Sequence, residues 1–132
     1  DYSLPLKGRG DFKKYFLLKD MMTEAPLFLT INSAKLTEMR AENPDLLILD
    51  VRTTEEHQHL GFIPGATLIP LHELPYAYRM LDAEETVVVM CQHGVRSIDA
   101  CYFLASQGFK SLYNLDVGFS GWTGEVTHTL PQ

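Results

Sequence analysis

A chain of 132 residues, 45% apolar and 21% charged, has the size and balance of one folded domain that carries its own core, which excludes a disordered polypeptide and a scaffold stapled by disulfides or metals. A net charge of −6, with Lys and Arg nowhere clustered, excludes a nucleic-acid partner, because a phosphate backbone rewards grouped cations. No apolar run reaches the roughly 18–20 residues that a bilayer-spanning helix needs, so no membrane association is expected.

Residues 1–26 differ in character from the rest of the chain. Pro5, Gly8 and Gly10 give irregular backbone, after which Asp11 caps a short helix whose apolar side is Phe12, Tyr15, Phe16 and Leu18. A helix of that length is marginal alone, so this extension is expected to dock on the remainder. The Arg9-Gly10-Asp11 triplet is too short a pattern to carry an adhesive function. The folded domain is expected over residues 27–127, with 128–132 as a tail.

From Leu27 onward strand and helix signals alternate, the pattern of a mostly parallel sheet with helices on both faces. Leu27 to Ile31 is a short strand; Asn32 or Ser33 caps a helix that Asn43-Pro44 ends near Glu42. Leu46 to Val51 is an apolar strand closing on Asp50-Val51-Arg52, and Thr53 or Thr54 caps a helix to Leu60. A turn over 61–66 leads to a strand at Thr67 to Ile69, and apolar spacing predicts one helix from Leu71 to Leu81. Thr86 to Met90, dense in β-branched residues, reads as a central strand buried on both faces. Ile98, Cys101, Tyr102 and Ala105 then form the i, i+3, i+4, i+7 stripe of a helix packed on the sheet, which Gly108 ends. Ser111 to Leu115 is the last strand, and 118–126 a final helical turn or two.

Cys91 falls just beyond the carboxyl end of the central strand, where open parallel sheets place their ligand crevice. The loop Cys91-Gln92-His93-Gly94-Val95-Arg96-Ser97 closes into a helix, which directs successive backbone amides inward and adds about half a positive charge at the helix start. A free thiol near pKa 8.5 is mostly protonated at neutral pH, but such a setting with a nearby cation lowers it to roughly 3.5–7.5 and makes the thiolate the main form. Arg96 supplies the cation and a planar fork for an oxyanion. A small buried thiol that merely fills space at a strand end is the competing reading for Cys91. For Cys101, on the apolar stripe of the following helix, that structural reading is preferred. Two cysteines make no disulfide framework and fit a reducing compartment or a chain that uses a thiol chemically; a cytoplasmic location is expected, although the chain opens on Asp1 and a removed leader would alter that.

Four motifs occur in order: Leu47-Ile48-Leu49-Asp50-Val51-Arg52 with Glu56; Gly61-Phe62-Ile63-Pro64-Gly65-Ala66; Cys91 to Ser97; and Gly118-Phe119-Ser120-Gly121-Trp122. Together they resemble a rhodanese domain over about residues 27–127, and single rhodanese modules such as those at the end of proteins that activate sulfur carriers in particular. The resemblance implies an α/β three-layer sandwich, with a central, mostly parallel sheet of about five strands flanked by helices. It implies a sulfurtransferase in which Cys91 takes a sulfane sulfur from thiosulfate or a persulfide donor, carries it as a persulfide, and yields it to cyanide, a thiol or a protein. The amides from Gln92, His93, Gly94 and Val95 to Ser97 would hold the outer sulfur, Arg96 would meet the donor's sulfonate, and Asp50 and Arg52 would brace the loop. No cofactor and no metal is expected; the partners implied are a thiosulfate-like anion and a protein donor or acceptor, with the chain a monomer or weak dimer. The alternative is a persulfide relay module that passes sulfur between proteins.

The loop is C-x4-R; phosphatases of the same fold resemble C-x5-R, whose wider ring accommodates phosphate, so phosphatase and arsenate-reductase chemistry is disfavoured. Phe62 stands where many relatives have His, one extra residue separates Glu56 from Gly61, which predicts a longer helix there, and Val117-Gly118 replaces a common Gly-Gly. The loop lacks the Gly-Ser/Thr-Gly-Val-Thr sequence of mercaptopyruvate enzymes, which favours thiosulfate, persulfide or protein donors. His57, His59, His72 and His128 are expected on the solvent side and not at a metal, since i and i+2 diverge on a helix. His93 lies inside the loop, where it either adds positive potential or contributes only its amide. Trp122 and Tyr102 are expected in the core.

Overall fold

The computed structural model describes residues 25–128; the expected helix after Asp11 and the tail beyond His128 lie outside that range. Five strands form one sheet: β1 (Leu29–Ile31), β2 (Leu47–Asp50), β3 (Thr67–Leu68), β4 (Val87–Met90) and β5 (Leu112–Leu115). Their order is β1-β5-β4-β2-β3 and every pairing is parallel, with Ile48 opposite Val88 and Val88 opposite Tyr113.

β4 is the centre of the sheet for a reason visible in its composition. Its four side chains are all fully buried, each stabilising the fold by about 1.5–3 kcal/mol relative to exposure, and a run that is apolar on both faces requires cover on both. Val87 and Val89 join one core with Leu49, Val51, Leu74, Cys101 and Leu104, while Val88 and Met90 join the other with Ile48, Leu36, Ile63 and Leu115. These two cores are the inner surfaces of the three-layer α/β sandwich.

Helix α1 (Ser33–Glu42) starts where Asn32 accepts from the Lys35 amide at 2.8 Å and ends at Asn43, ahead of Pro44. Helix α2 (Thr54–Leu60) opens on a capping box: Thr53 Oγ1 accepts from the Glu56 amide, and the Glu56 carboxylate accepts from the Thr53 amide at 2.9 Å. It extends through Leu60, and none of its residues is fully buried.

The expected helix from Leu71 to Leu81 is instead three short pieces. A 3-10 turn (Leu71–Glu73) precedes α3 (Leu74–Ala77), and a second 3-10 turn (Tyr78–Met80) follows. Pro75 explains the break, because it has no N–H for the Leu71 carbonyl, which accepts from Leu74 in the tighter spacing instead. The closing segment is likewise only one 3-10 turn (Phe119–Gly121), after which Trp122 turns extended.

Helix α4 (Arg96–Ser106) buries Ser97, Ala100, Cys101, Leu104 and Ala105. That stripe is displaced by one residue from the expected one: Ile98 is 37% and Tyr102 45% exposed. Ser97 must face the Cys91 sulfur, and this fixes the helix's rotation. Tyr102 therefore sits at the surface, edge-on to Phe28 at 5.1 Å, while Trp122 is partly buried and donates Nε1–H to the Glu125 carbonyl. No helix among the described residues is long and apolar enough to cross a membrane.

Candidate active site

Cys91 is the first residue after β4 and is 1% exposed. Its sulfur is not sealed in hydrocarbon. The Gly94 amide donates to Sγ at 3.2 Å, the Ser97 amide at 3.3 Å, and Sγ and Ser97 Oγ lie 3.3 Å apart. Burial pushes the thiol pKa up, but hydrogen bonds from the Ser97 hydroxyl and from the Ser97, His93 and Gly94 amides outweigh it, and the net shift is downward.

The loop reaches this shape because the backbone beneath it is close. Gly94 has φ +84°, and a Cβ there would fall 1.9 Å from the Asp116 carbonyl oxygen. Gly118, at φ +62°, approaches the Cys91 carbonyl so closely that a Cβ would lie 2.4 Å from it. Phe119 and Ser120 then donate their amides to the Cys91 and Gln92 carbonyls at 2.8 and 3.0 Å, fastening the loop to the late 3-10 turn. Of the expected Gly-Gly pair, the glycine retained is the one this contact requires.

Asp50 and Arg52 form a fully buried ion pair below the loop. Arg52 Nε and Nη2 donate to the Asp50 carboxylate at 2.8–3.1 Å, Nη2 also to the Gly61 carbonyl at 2.8 Å, and Nη1 to Gln92 Oε1 at 3.0 Å. The guanidinium also lies 4.3 Å over the Phe119 ring. One side chain thus joins the end of β2, the turn at Gly61, the Cys91 loop and the late 3-10 turn. Gln92 contributes this side-chain contact and no amide bond to Sγ.

Arg96 does not open its fork to solvent. Nη1 and Nη2 donate to the two oxygens of Glu56, each at 2.8 Å. Glu56 also accepts from the Thr53 amide and hydroxyl, so the residue that opens α2 also holds the loop's arginine. Val95, beside it, is 68% exposed. The His93 ring turns aside, with Nδ1 3.2 Å from Ser120 Oγ.

The sequence does not single out two of the residues that make these contacts. It marks Glu56 as part of a motif, not as the partner of Arg96, because forty positions separate them. Asn114 goes unmarked altogether: it is 2% exposed on β5, accepts from Ser97 Oγ and donates to the Gly94 carbonyl at 3.3 Å. The available signal is a lone polar residue on an inward position of an apolar strand. His57 corrects the expectation of a solvent-facing histidine. It stacks on Phe62 at 4.0 Å, its Nδ1 is buried without a hydrogen-bond partner, and burial pushes its pKa down. The ring at position 62 thus packs on His57, while its backbone pairs with Thr127.

The Arg96 guanidinium, chiefly through its hydrogen bonds, holds the Glu56 carboxyl at about 2, down from 4.5. A carboxyl with a lowered folded pKa contributes stability that is fully present above the ordinary value and lost as pH falls toward the folded one. Both side chains are partly solvated, at 36% and 26% exposure, so the contribution is about 1 kcal/mol rather than the full linkage value. Glu56→Gln is expected to lower stability by that amount at pH 7, and the gap to wild type should shrink between pH 4.5 and 2. Urea unfolding at pH 7 and pH 3 checks this.

The model of the rhodanese-like domain family matches residues 33–125. A sulfurtransferase of Allochromatium vinosum is 35% identical over 101 residues, covering 76% of this chain and 91% of that protein. A thiosulfate sulfurtransferase of Pseudoalteromonas translucida is 28% identical over 95 residues, covering 72% and 89%. The crystal structure of a rhodanese-like domain protein from Staphylococcus aureus superposes with a TM-score of 0.71 at 29% identity, covering 78% of this chain and all of that one.

Proposed function

The chain belongs to the rhodanese-like domain family and serves sulfur transfer, and from that premise we propose that Cys91 is the nucleophile that accepts a sulfane sulfur from thiosulfate or a persulfide and passes it to a thiophilic acceptor. The observation that carries this reading is the sulfur of Cys91 held by the Gly94 and Ser97 amides at the start of α4, with its pKa lowered in spite of burial.

In the first half-reaction the Cys91 thiolate attacks the outer sulfur of the donor. A new S–S bond forms, the donor's own S–S bond breaks, and its electron pair leaves on sulfite or a thiolate. The positive ends of the amide dipoles favour negative charge at this position, so they stabilise both the attacking thiolate and the persulfide that replaces it. Ser97 has one hydroxyl proton: it donates to Asn114 while Cys91 is a thiol and turns to the sulfur once that ionises. In the second half-reaction cyanide, a thiol or a protein thiolate attacks the outer sulfur and restores the Cys91 thiolate. Gly94 and Ser97 hold the sulfur, Gln92 and Arg52 anchor the loop, Asp50 keeps Arg52 in place, and His93 and Val95 border the entrance.

Incubation with thiosulfate or an organic persulfide is expected to add the mass of one sulfur atom, and cyanide should remove it as thiocyanate. Intact-protein mass spectrometry reads both steps. A mass unchanged by either donor would overturn the assignment.

A further inference from the structure

The two arginines beside the Cys91 loop are already neutralised. Among the described residues, Arg52 is paired with Asp50 at no solvent exposure, and Arg96 meets both oxygens of Glu56 at 2.8 Å. The Glu56 carboxylate is not a casual surface partner: four donors converge on it, two from Arg96 and two from Thr53. An incoming sulfonate would have to displace a carboxylate fixed in that way, or approach beside it. Among the described residues, thiosulfate, a dianion, therefore meets no unpaired guanidinium at this site, and the amides that would attract it are already directed at the Cys91 sulfur. The exposed side chains that flank the arginine point to another kind of donor. Val95 is 68% and Ile98 37% exposed, and apolar surface there suits a carbon substituent, not three sulfonate oxygens.

We propose that Glu56 is the specificity-determining residue of this site: by filling the Arg96 fork it turns the Cys91 loop toward organic persulfides, R–S–SH, and away from thiosulfate. This rests on the reading of Cys91 as the sulfur acceptor. The step balances as Cys91–S⁻ + R–S–SH → Cys91–S–SH + R–S⁻. The outer sulfur forms its bond to Cys91, the donor's S–S bond breaks, and the electron pair leaves on the thiolate; no oxidant or reductant is consumed. The carbon of R rests against Val95 and Ile98, and no group in the donor competes with Glu56 for the guanidinium.

The test compares two donors, thiosulfate and 2-hydroxyethyl persulfide, on wild-type protein and on Glu56→Gln. Glutamine still completes a capping box with Thr53, so the variant keeps α2, which circular dichroism checks. Removing the carboxylate frees the fork, so the KM for thiosulfate should fall by about tenfold, the size of one gained charged contact. The loading rate at saturating donor should stay within about twofold, as should both parameters for the persulfide. A purely structural role would move the two donors together, and a role in aiming Arg96 at the sulfonate would raise the thiosulfate KM; either result overturns the proposal while Cys91 loading stands. If neither donor loads wild-type protein, the reading of Cys91 falls with it.

Discussion

Cys91→Ser is expected to reduce sulfur loading to background, a loss of roughly 10⁴–10⁶-fold by analogy with removal of other activated nucleophiles. The substitution exchanges one atom in an otherwise unchanged cradle, with the Gly94 and Ser97 amides still directed at it. What disappears is the ionisable, polarisable sulfur. A serine hydroxyl stays protonated where the thiol is drawn down, so the amides are left holding a poor nucleophile. The other cysteine offers no substitute. Cys101 is fully buried and, chiefly by that burial, its thiol is pushed up to about 12, so it has almost no thiolate at neutral pH. Cys101→Ser should accordingly load sulfur as wild type does. Mass spectrometry after exposure to donor reads both variants, and thermal unfolding shows that each is folded. Sulfur retained by the Cys91→Ser protein would mean that the reacting atom lies elsewhere.

The parallel sheet is legible in the sequence because its central strands are apolar on both faces, and that signal is local. The placement of Cys91 past Met90 follows from it. Cap residues are legible for the same reason: Asn32 and Thr53 bond to amides three positions away. What the sequence does not yield is what tertiary packing decides. Periodicity marks Leu71 to Leu81 as one helix, but Pro75 has no amide for Leu71 and divides it. The apolar stripe of α4 lies one position from the expected one because Ser97, a polar residue, is turned inward by the sulfur it serves. Arg96 suggests a free fork since nothing local opposes its charge; its partner comes from another helix. Asn114 escapes notice for the same reason, as its partners, Ser97 and Gly94, lie on the loop after a neighbouring strand.

Asp50→Asn should be among the most damaging substitutions at a residue that does not touch the sulfur, costing about 3–5 kcal/mol of folding stability. Asp50 and Arg52 are both fully buried, and three contacts of 2.8–3.1 Å join the guanidinium to the carboxylate. Asparagine keeps the shape but removes the negative charge, and its NH₂ faces a guanidinium that can only donate. Arg52 is then a buried cation whose remaining acceptors, the new side chain's amide oxygen, the Gly61 carbonyl and Gln92 Oε1, are all neutral. For a domain with the usual stability of about 5–15 kcal/mol this is a large part of the whole. The converse substitution, Arg52→Leu, strands the carboxylate and should cost as much. Combining Asp50→Asn with Arg52→Leu removes both charges together, so the double variant should be less destabilised than the sum of the two singles, a coupling that urea unfolding of all four proteins measures. Loading kinetics add a second readout. Arg52 Nη1 holds Gln92 in the Cys91 loop, so under conditions where Asp50→Asn remains folded its sulfur loading should be slower than wild type, with the Cys91 side chain untouched. A loss below about 1 kcal/mol would place the pair among surface-like ion pairs and remove the argument that it braces the loop.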